Sequence, residues 1–137
     1  MSEEYVAAVR RSLDGWNRDD FDACVSIAHP DIEWTSEVAQ QLEGKELVYR
    51  GLDEFRRYWD EWHAIWEVRI EVLEITDLGD KVFVLGCTDA RGGASGVSLK
   101  QPIAYVYEFE DGMARRVRSY IDPERARAAV GLPPAEA

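Results

Sequence analysis

Residues 51–66 read GLDEFRRYWDEWHAIW, and their pattern decides the fold. Leu52, Phe55, Trp59, Trp62 and Trp66 recur at spacings of 3, 4, 3 and 4, which gathers five apolar side chains on one helical face. A helix is predicted from about Asp53 to Ala64. Its apolar face is mostly tryptophan, and indoles bury large areas while interlocking less tightly than leucine or isoleucine, so gaps are expected where the helix crosses a concave sheet.

Downstream the period drops to two. Strands are read at 66–77, 81–91, 97–110 and 113–121, separated by Leu78-Gly79-Asp80, Arg91-Gly92-Gly93 and Asp111-Gly112. Short glycine turns join antiparallel neighbours, so an antiparallel sheet is predicted. In the first run Trp66, Val68, Ile70 and Val72 hold the even positions, and the apolar residues then shift to Leu73 and Ile75. Such a change of parity points to a β-bulge, and a bulge bends the sheet.

Upstream, Val6, Val9, Leu13 and Trp16 step by 3, 4 and 3, an amphipathic first helix that Gly15 and Asn17 loosen. Asp19 is read as the cap of a short second helix. Phe21, Cys24, Val25 and Ala28 form its buried side, and His29-Pro30 stops it. Residues 31–38 alternate as a strand with Ile32, Trp34 and Ser36 inward. The polar stretch 39–50 suits a flap over a cavity mouth, with Tyr49 at its hinge. Asp122-Pro123 caps and opens a last helix, which Gly131 and Pro133-Pro134 end.

With 137 residues the chain suits one domain, 1–137. Its 27 acidic and 16 basic residues give a net charge of -11, which argues against nucleic acid and anionic membranes as partners. Arg115, Arg116, Arg118, Arg125 and Arg127 are expected to pair with carboxylates on the same surface. Cys24 and Cys87 are far apart and outside any C-x-x-C spacing, so reduced thiols are expected, with no disulfide framework. Two histidines without paired Asp/Glu/His spacing suggest no metal and no cofactor. The acidic start lacks the pattern of a secretory signal, and no apolar run approaches the roughly 18 residues a membrane span needs. A soluble, cytoplasmic protein is the expectation.

The runs Gly92-Gly93-Ala94-Ser95-Gly96-Val97, Ala104-Tyr105-Val106-Tyr107, Glu110-Asp111-Gly112, Arg118-Ser119-Tyr120-Ile121-Asp122 and Ala128-Ala129-Val130-Gly131-Leu132 carry a further signal. With the element order, they resemble SnoaL-like (polyketide cyclase-like) small bacterial proteins of the nuclear transport factor 2-like superfamily. The resemblance implies an α+β, cone-shaped (cystatin-like) fold, a curved antiparallel sheet packed against three helices around a pocket, and a homodimer formed through the sheet. That superfamily holds isomerases, cyclases, epoxide hydrolases, dehydratases and non-catalytic binders, so the likeness speaks for fold rather than chemistry. The places of the ketosteroid isomerase machinery fall on Ser12, Ser36 and Tyr105. A serine hydroxyl is no general base at neutral pH, which excludes that mechanism, though Tyr105 can still donate a hydrogen bond. The epoxide hydrolase places fall on Cys87-Thr88-Asp89 and Ser119, leaving one carboxylate. The SnoaL-type cyclase base also falls on Ser119, and Asp122 reads better as a helix cap.

Asp89 is therefore the candidate catalytic residue. It shares its parity with Phe83, Leu85 and Cys87; facing inward it would be a proton shuttle of raised pKa, and facing outward a strand-end acid beside Arg91. Trp16, Trp34, Tyr49, Trp59, Trp62, Tyr105 and Tyr107 are the candidate cavity wall. Ser36 and Ser119 point inward, His63 reaches past the stripe, and Gln101 offers an amide at the mouth. Glu108, Arg116, Arg118 and Tyr120 belong to the outer face or a subunit contact. An aromatic wall favours a flat, mostly apolar guest. The expected function is binding of a small hydrophobic or aromatic metabolite. The alternatives are a cofactor-independent cyclase, isomerase or epoxide hydrolase/hydratase using Asp89, and a protein–protein interaction module.

Overall fold

The computed structural model describes residues 2–37, 40, 48–92 and 98–134. Their elements run α1 (Ser2–Asn17), α2 (Phe21–Val25), β1 (Ala28–Ser36), β2 (Val48–Arg50), α3 (Gly51–Ile65), β3 (Trp66–Asp77), β4 (Lys81–Gly92), β5 (Ser98–Glu110), β6 (Met113–Tyr120) and α4 (Pro123–Ala129). The strands form one curved sheet in the order β2-β1-β6-β5-β4-β3. Pairing is antiparallel except between β1 and β6, which run parallel. Most of the flap read at 39–50, and residues 93–97 after the turn at Gly92, lie outside the described residues.

The parity change in β3 is a bulge. Register passes from Val72 opposite Gly86 to Glu74 opposite Leu85, so Leu73 is the extra residue, and it is exposed. Val68, Ile70, Val72 and Ile75 all keep to the core side. The added residue lets one strand keep its apolar side inward through a bend.

Four local readings change. Asp20, not Asp19, caps α2, its carboxylate accepting from Ala23 N at 3.1 Å. Asp19 instead makes the turn between the helices in the left-handed region, at φ 58°. Ala28, His29 and Pro30 belong to β1 rather than α2. Pro30 is tolerated there because β1 is irregular between its pairings at Ala28 and Glu33, so no ladder donor is needed. Gly15 does not loosen α1, which continues to Asn17; a Cβ at Gly15 would stand 2.6 Å from Cys24 N, so the missing side chain is what lets α1 and α2 touch.

The stripe on α3 is also rotated. Phe55, Tyr58 and Trp59 are buried and Trp62 half-buried, whereas Leu52 is exposed and Trp66 already opens β3. A second, smaller apolar layer lies on the outer face of the sheet, where Phe83, Ala104 and Val106 pack with Ala126 of α4. Charged contacts fasten this helix. Glu37 accepts from Ile121 N at 2.8 Å and pairs with Arg125, while Arg127 reaches Glu74 at 3.2 Å above the Phe83 ring. Arg115 and Arg116 meet Glu33 at 3.9 and 3.0 Å, so four of the five arginines pair with carboxylates as expected; Arg118 lies over the Tyr120 ring.

Candidate functional site

The concave side of the sheet does not close on the helices, and a cavity of about 110 Å³ remains between them. Each wall follows from the period of its element. On α3, Phe55, Tyr58 and Trp62 face it at steps of 3 and 4; on α1, Ser12, Leu13 and Trp16 do so at steps of 1 and 3. The sheet contributes alternate residues: Trp34 and Ser36 from β1, Val68 and Ile70 from β3, Thr88 and Ala90 from β4, Gln101 to Tyr107 at odd positions on β5, and Val117 and Ser119 from β6. Aromatic contacts hold the wall. Trp34 stacks on Tyr105 at 6.0 Å and meets the edge of Phe55 at 5.7 Å, and Tyr105 and Tyr107 lie 6.3 Å apart.

The polar groups of the described wall residues are neutral. The Ser12 hydroxyl donates to Cys24 O at 2.6 Å, Tyr58 to Ser36 Oγ at 3.4 Å, and Thr88 to Gln101 O at 3.3 Å. Ser119 Oγ accepts from Glu37 N at 3.1 Å, and Trp16 Nε1 donates to Val68 O at 3.1 Å. Trp34 Nε1 is buried beside Tyr58 without completing a hydrogen bond among the described residues. Burial pushes Tyr58 up to about 12, partly offset by its bond to Ser36, and pushes Cys24 to about 11. Burial raises Tyr105 and Tyr107 as well. All four therefore stay protonated at neutral pH. Among the described lining residues there is no carboxylate, imidazole, ammonium or guanidinium. Among the described residues, no group of three His, Cys, Asp or Glu could hold a metal ion, and no helix is long and apolar enough to cross a membrane.

Of the residues singled out from sequence, Trp16, Trp34, Ser36, Trp62, Gln101, Tyr105, Tyr107 and Ser119 come together on this cavity. Four do not. Tyr49 sits on β2 opposite Trp34 and packs its ring 4.9 Å from that of Tyr58, one layer behind the wall. Trp59 lies behind Trp16, edge-on at 4.9 Å, and stacks on His63 at 4.1 Å. His63 turns away from the cavity: Nδ1 is 2.9 Å from Trp59 O, and Nε2 is 3.3 Å from the Asp19 carboxylate. Asp89 faces the other side of β4, with its carboxylate 3.7 Å from Arg91. Thr88 and Ala90 line the cavity in its place.

Sequence reasoning missed Tyr58 and Thr88, and it left Ser12 and Phe55 off the wall. Tyr58 was within reach, since Phe55, Tyr58 and Trp62 also keep helical spacing, but a neighbouring tryptophan at position 59 drew the stripe one step around the helix. For Thr88 no pattern was available. Val82, Phe83 and Val84 are all fully buried because α4 covers the outer face of β4 and the cavity-side core its inner face. Hydropathy cannot choose between two covered faces.

Residues 9–117 match a family model described as a SnoaL-like domain. Solved structures agree in fold. An NTF2-like protein of unknown function from Burkholderia pseudomallei K96243 has a TM-score of 0.78 at 22% identity, covering 93% of this chain and 97% of its own. TerC, co-crystallised with polyporic acid, has a TM-score of 0.77 at 19% identity, covering 93% and 98%. A candidate polyketide cyclase from Xanthomonas campestris pv. campestris has a TM-score of 0.74 at 17% identity, covering 93% and 97%. No curated protein matches the chain.

Proposed function

The chain belongs to the SnoaL-like domain family, and from that premise we propose that it binds a small hydrophobic or aromatic molecule in the cavity between α3 and the sheet. The observation that carries this reading is an aromatic-walled hollow whose polar groups, among the described residues, are all hydroxyls, a thiol, an amide and indoles. Such a wall offers apolar area and a few orienting hydrogen bonds, which is how small-molecule sites are built. Size narrows the guest. A dry, apolar cavity of about 150 Å³ accepts benzene, so about 110 Å³ here suits a single small ring, or a larger compound that projects out past the exposed Gln101.

Binding is favoured over catalysis. General acid–base work at neutral pH needs a group that titrates near it, and the phenols and thiol on this wall titrate far above. Asp89 lies across the sheet from the cavity, so the cofactor-independent enzyme reading loses its acid/base. The protein is further proposed to act as one domain and to pair as a homodimer through the outer face of its sheet. Two free cysteines suit a reducing compartment, consistent with the cytoplasm.

Native mass spectrometry of the protein as purified tests the proposal directly: a retained small molecule is expected, with a mass corresponding to two chains. Titration of ¹⁵N-labelled protein with toluene should move the indole resonances of Trp16, Trp34 and Trp62 before those of the other tryptophans. An unliganded protein whose indoles ignore millimolar toluene would remove the binding function.

A further inference from the structure

The charge state of the guest follows from what the described residues of its wall offer. None of the described residues around the cavity carries a cation that would pair an anion, or a carboxylate that would pair a cation. Neutral donors can still hold an anion when several hydroxyl protons converge on one point. Here four of the wall's donors are already committed. The proton of Ser12 goes to the Cys24 carbonyl, that of Thr88 to the Gln101 carbonyl, and that of Tyr58 to Ser36 Oγ. The Trp16 N–H is spent on the Val68 carbonyl. Trp34 Nε1 completes no hydrogen bond among the described residues, and the Tyr105 and Tyr107 hydroxyls also line the hollow. Each is a neutral group that can hold one polar atom of a guest, and none brings the positive charge that would repay an anion for its lost hydration.

We propose that the cavity takes its guest un-ionised, admitting a neutral ring compound and leaving its conjugate anion or cation in water. The inference rests on the binding function proposed above and adds the class of molecule that the site selects. An ion moved from water to a site without a counter-charge loses its hydration and gains little in return, whereas a neutral polar group needs only one partner. For a weak acid this appears as a raised pKa on binding. The wall's own acids behave this way: burial holds the Cys24 and Tyr58 protons in place far above their ordinary range.

A pair of probes tests this on the full chain. 4-Nitrophenol titrates near neutrality and only its anion is yellow; 4-nitrotoluene has nearly the same shape and no proton to lose. At the pH where half the free phenol is ionised, adding protein should bleach the yellow band in step with shifts of the Trp16, Trp34 and Trp62 indole resonances. Above that midpoint the apparent affinity for 4-nitrophenol should fall about tenfold per pH unit, while that for 4-nitrotoluene stays level. A yellow band that persists or deepens as the indoles shift would mean that the anion is bound, and overturns the proposal. So would 4-nitrotoluene binding with 4-nitrophenol rejected at every pH. If neither probe moves the indoles, the binding function itself fails and this inference falls with it.

Discussion

Tyr58 and Ser36, 22 residues apart in the chain, meet beside the cavity, where the tyrosine hydroxyl donates to Ser36 Oγ at 3.4 Å. The contact ties α3 to β1. A long hydrogen bond between neutral groups contributes about 1 kcal/mol at most. Tyr58→Phe should therefore lower stability in urea by about that amount without changing the fold. A variant as stable as the parent would show that the contact is incidental.

Binding should ignore Asp89. Its carboxylate lies on the outer side of β4 beside Arg91, so Asp89→Asn should leave the affinity for 4-nitrotoluene within about twofold, under 0.5 kcal/mol. Thr88→Leu, one position along, fills part of the hollow and should weaken binding by about tenfold or more. Equal effects of the two substitutions would mean that the inward face of β4 has been assigned backwards.

How far the sequence was legible depended on whether residue type still told the two faces of an element apart. β5 is covered on both faces, with Ala104 and Val106 under α4, but its large aromatic residues Tyr105, Tyr107 and Phe109 share one parity and mark the inward side. The bulge at Leu73 was legible because it leaves a parity error in the hydropathy of β3. β4 was not, because burial on both sides removes the alternation that reveals orientation, and the sequence left Asp89 open between the two faces for that reason. The helix boundaries around Asp19 and Ala28 depend on one backbone angle and one side-chain cap, and hydropathy is blind to both.

The outer layer depends on Glu37. Its carboxylate accepts the Ile121 N–H at 2.8 Å and pairs with Arg125, while its own N–H goes to Ser119 on the cavity wall. Hydrogen bonds to a charged, largely buried acceptor are worth about 1.5–3 kcal/mol. Glu37→Ala should cost about 2 kcal/mol and speed hydrogen exchange in α4 selectively. Uniform exchange across the protein would show that α4 is held by its apolar contacts with Phe83 and Ala104 instead.

Stability should fall at alkaline pH. Tyr58 is raised from 10.0 to about 12, mainly by burial, so the folded state keeps a proton that the unfolded chain gives up first. This contribution is intact below about pH 10 and is lost as pH rises toward 12, at about 1.4 kcal/mol per pH unit. Cys24, raised from 9.0 to about 11, acts in the same sense from pH 9 upward. Urea midpoints should hold up to about pH 9 and drop beyond it, and Tyr58→Phe should make the drop shallower between pH 10 and 12. A slope that the substitution leaves untouched would place the alkaline sensitivity elsewhere.

Gly15 sets two effects against each other. In an exposed helix, replacing glycine by alanine stabilises by about 1 kcal/mol because the unfolded chain loses freedom. At this position the new Cβ would stand 2.6 Å from Cys24 N and 2.9 Å from Ala23 Cβ. Neither atom belongs to a flexible side-chain end, so α1 and α2 must move apart. Overpacking of this kind costs about 1–3 kcal/mol, which offsets the helical gain and more. Gly15→Ala should thus destabilise the protein in urea. Because Cys24 and Ser12 both line the cavity, it should also weaken 4-nitrotoluene binding. A more stable variant would mean that the two helices separate freely at this crossing, and that the close approach of α1 to α2 does not set the shape of the hollow.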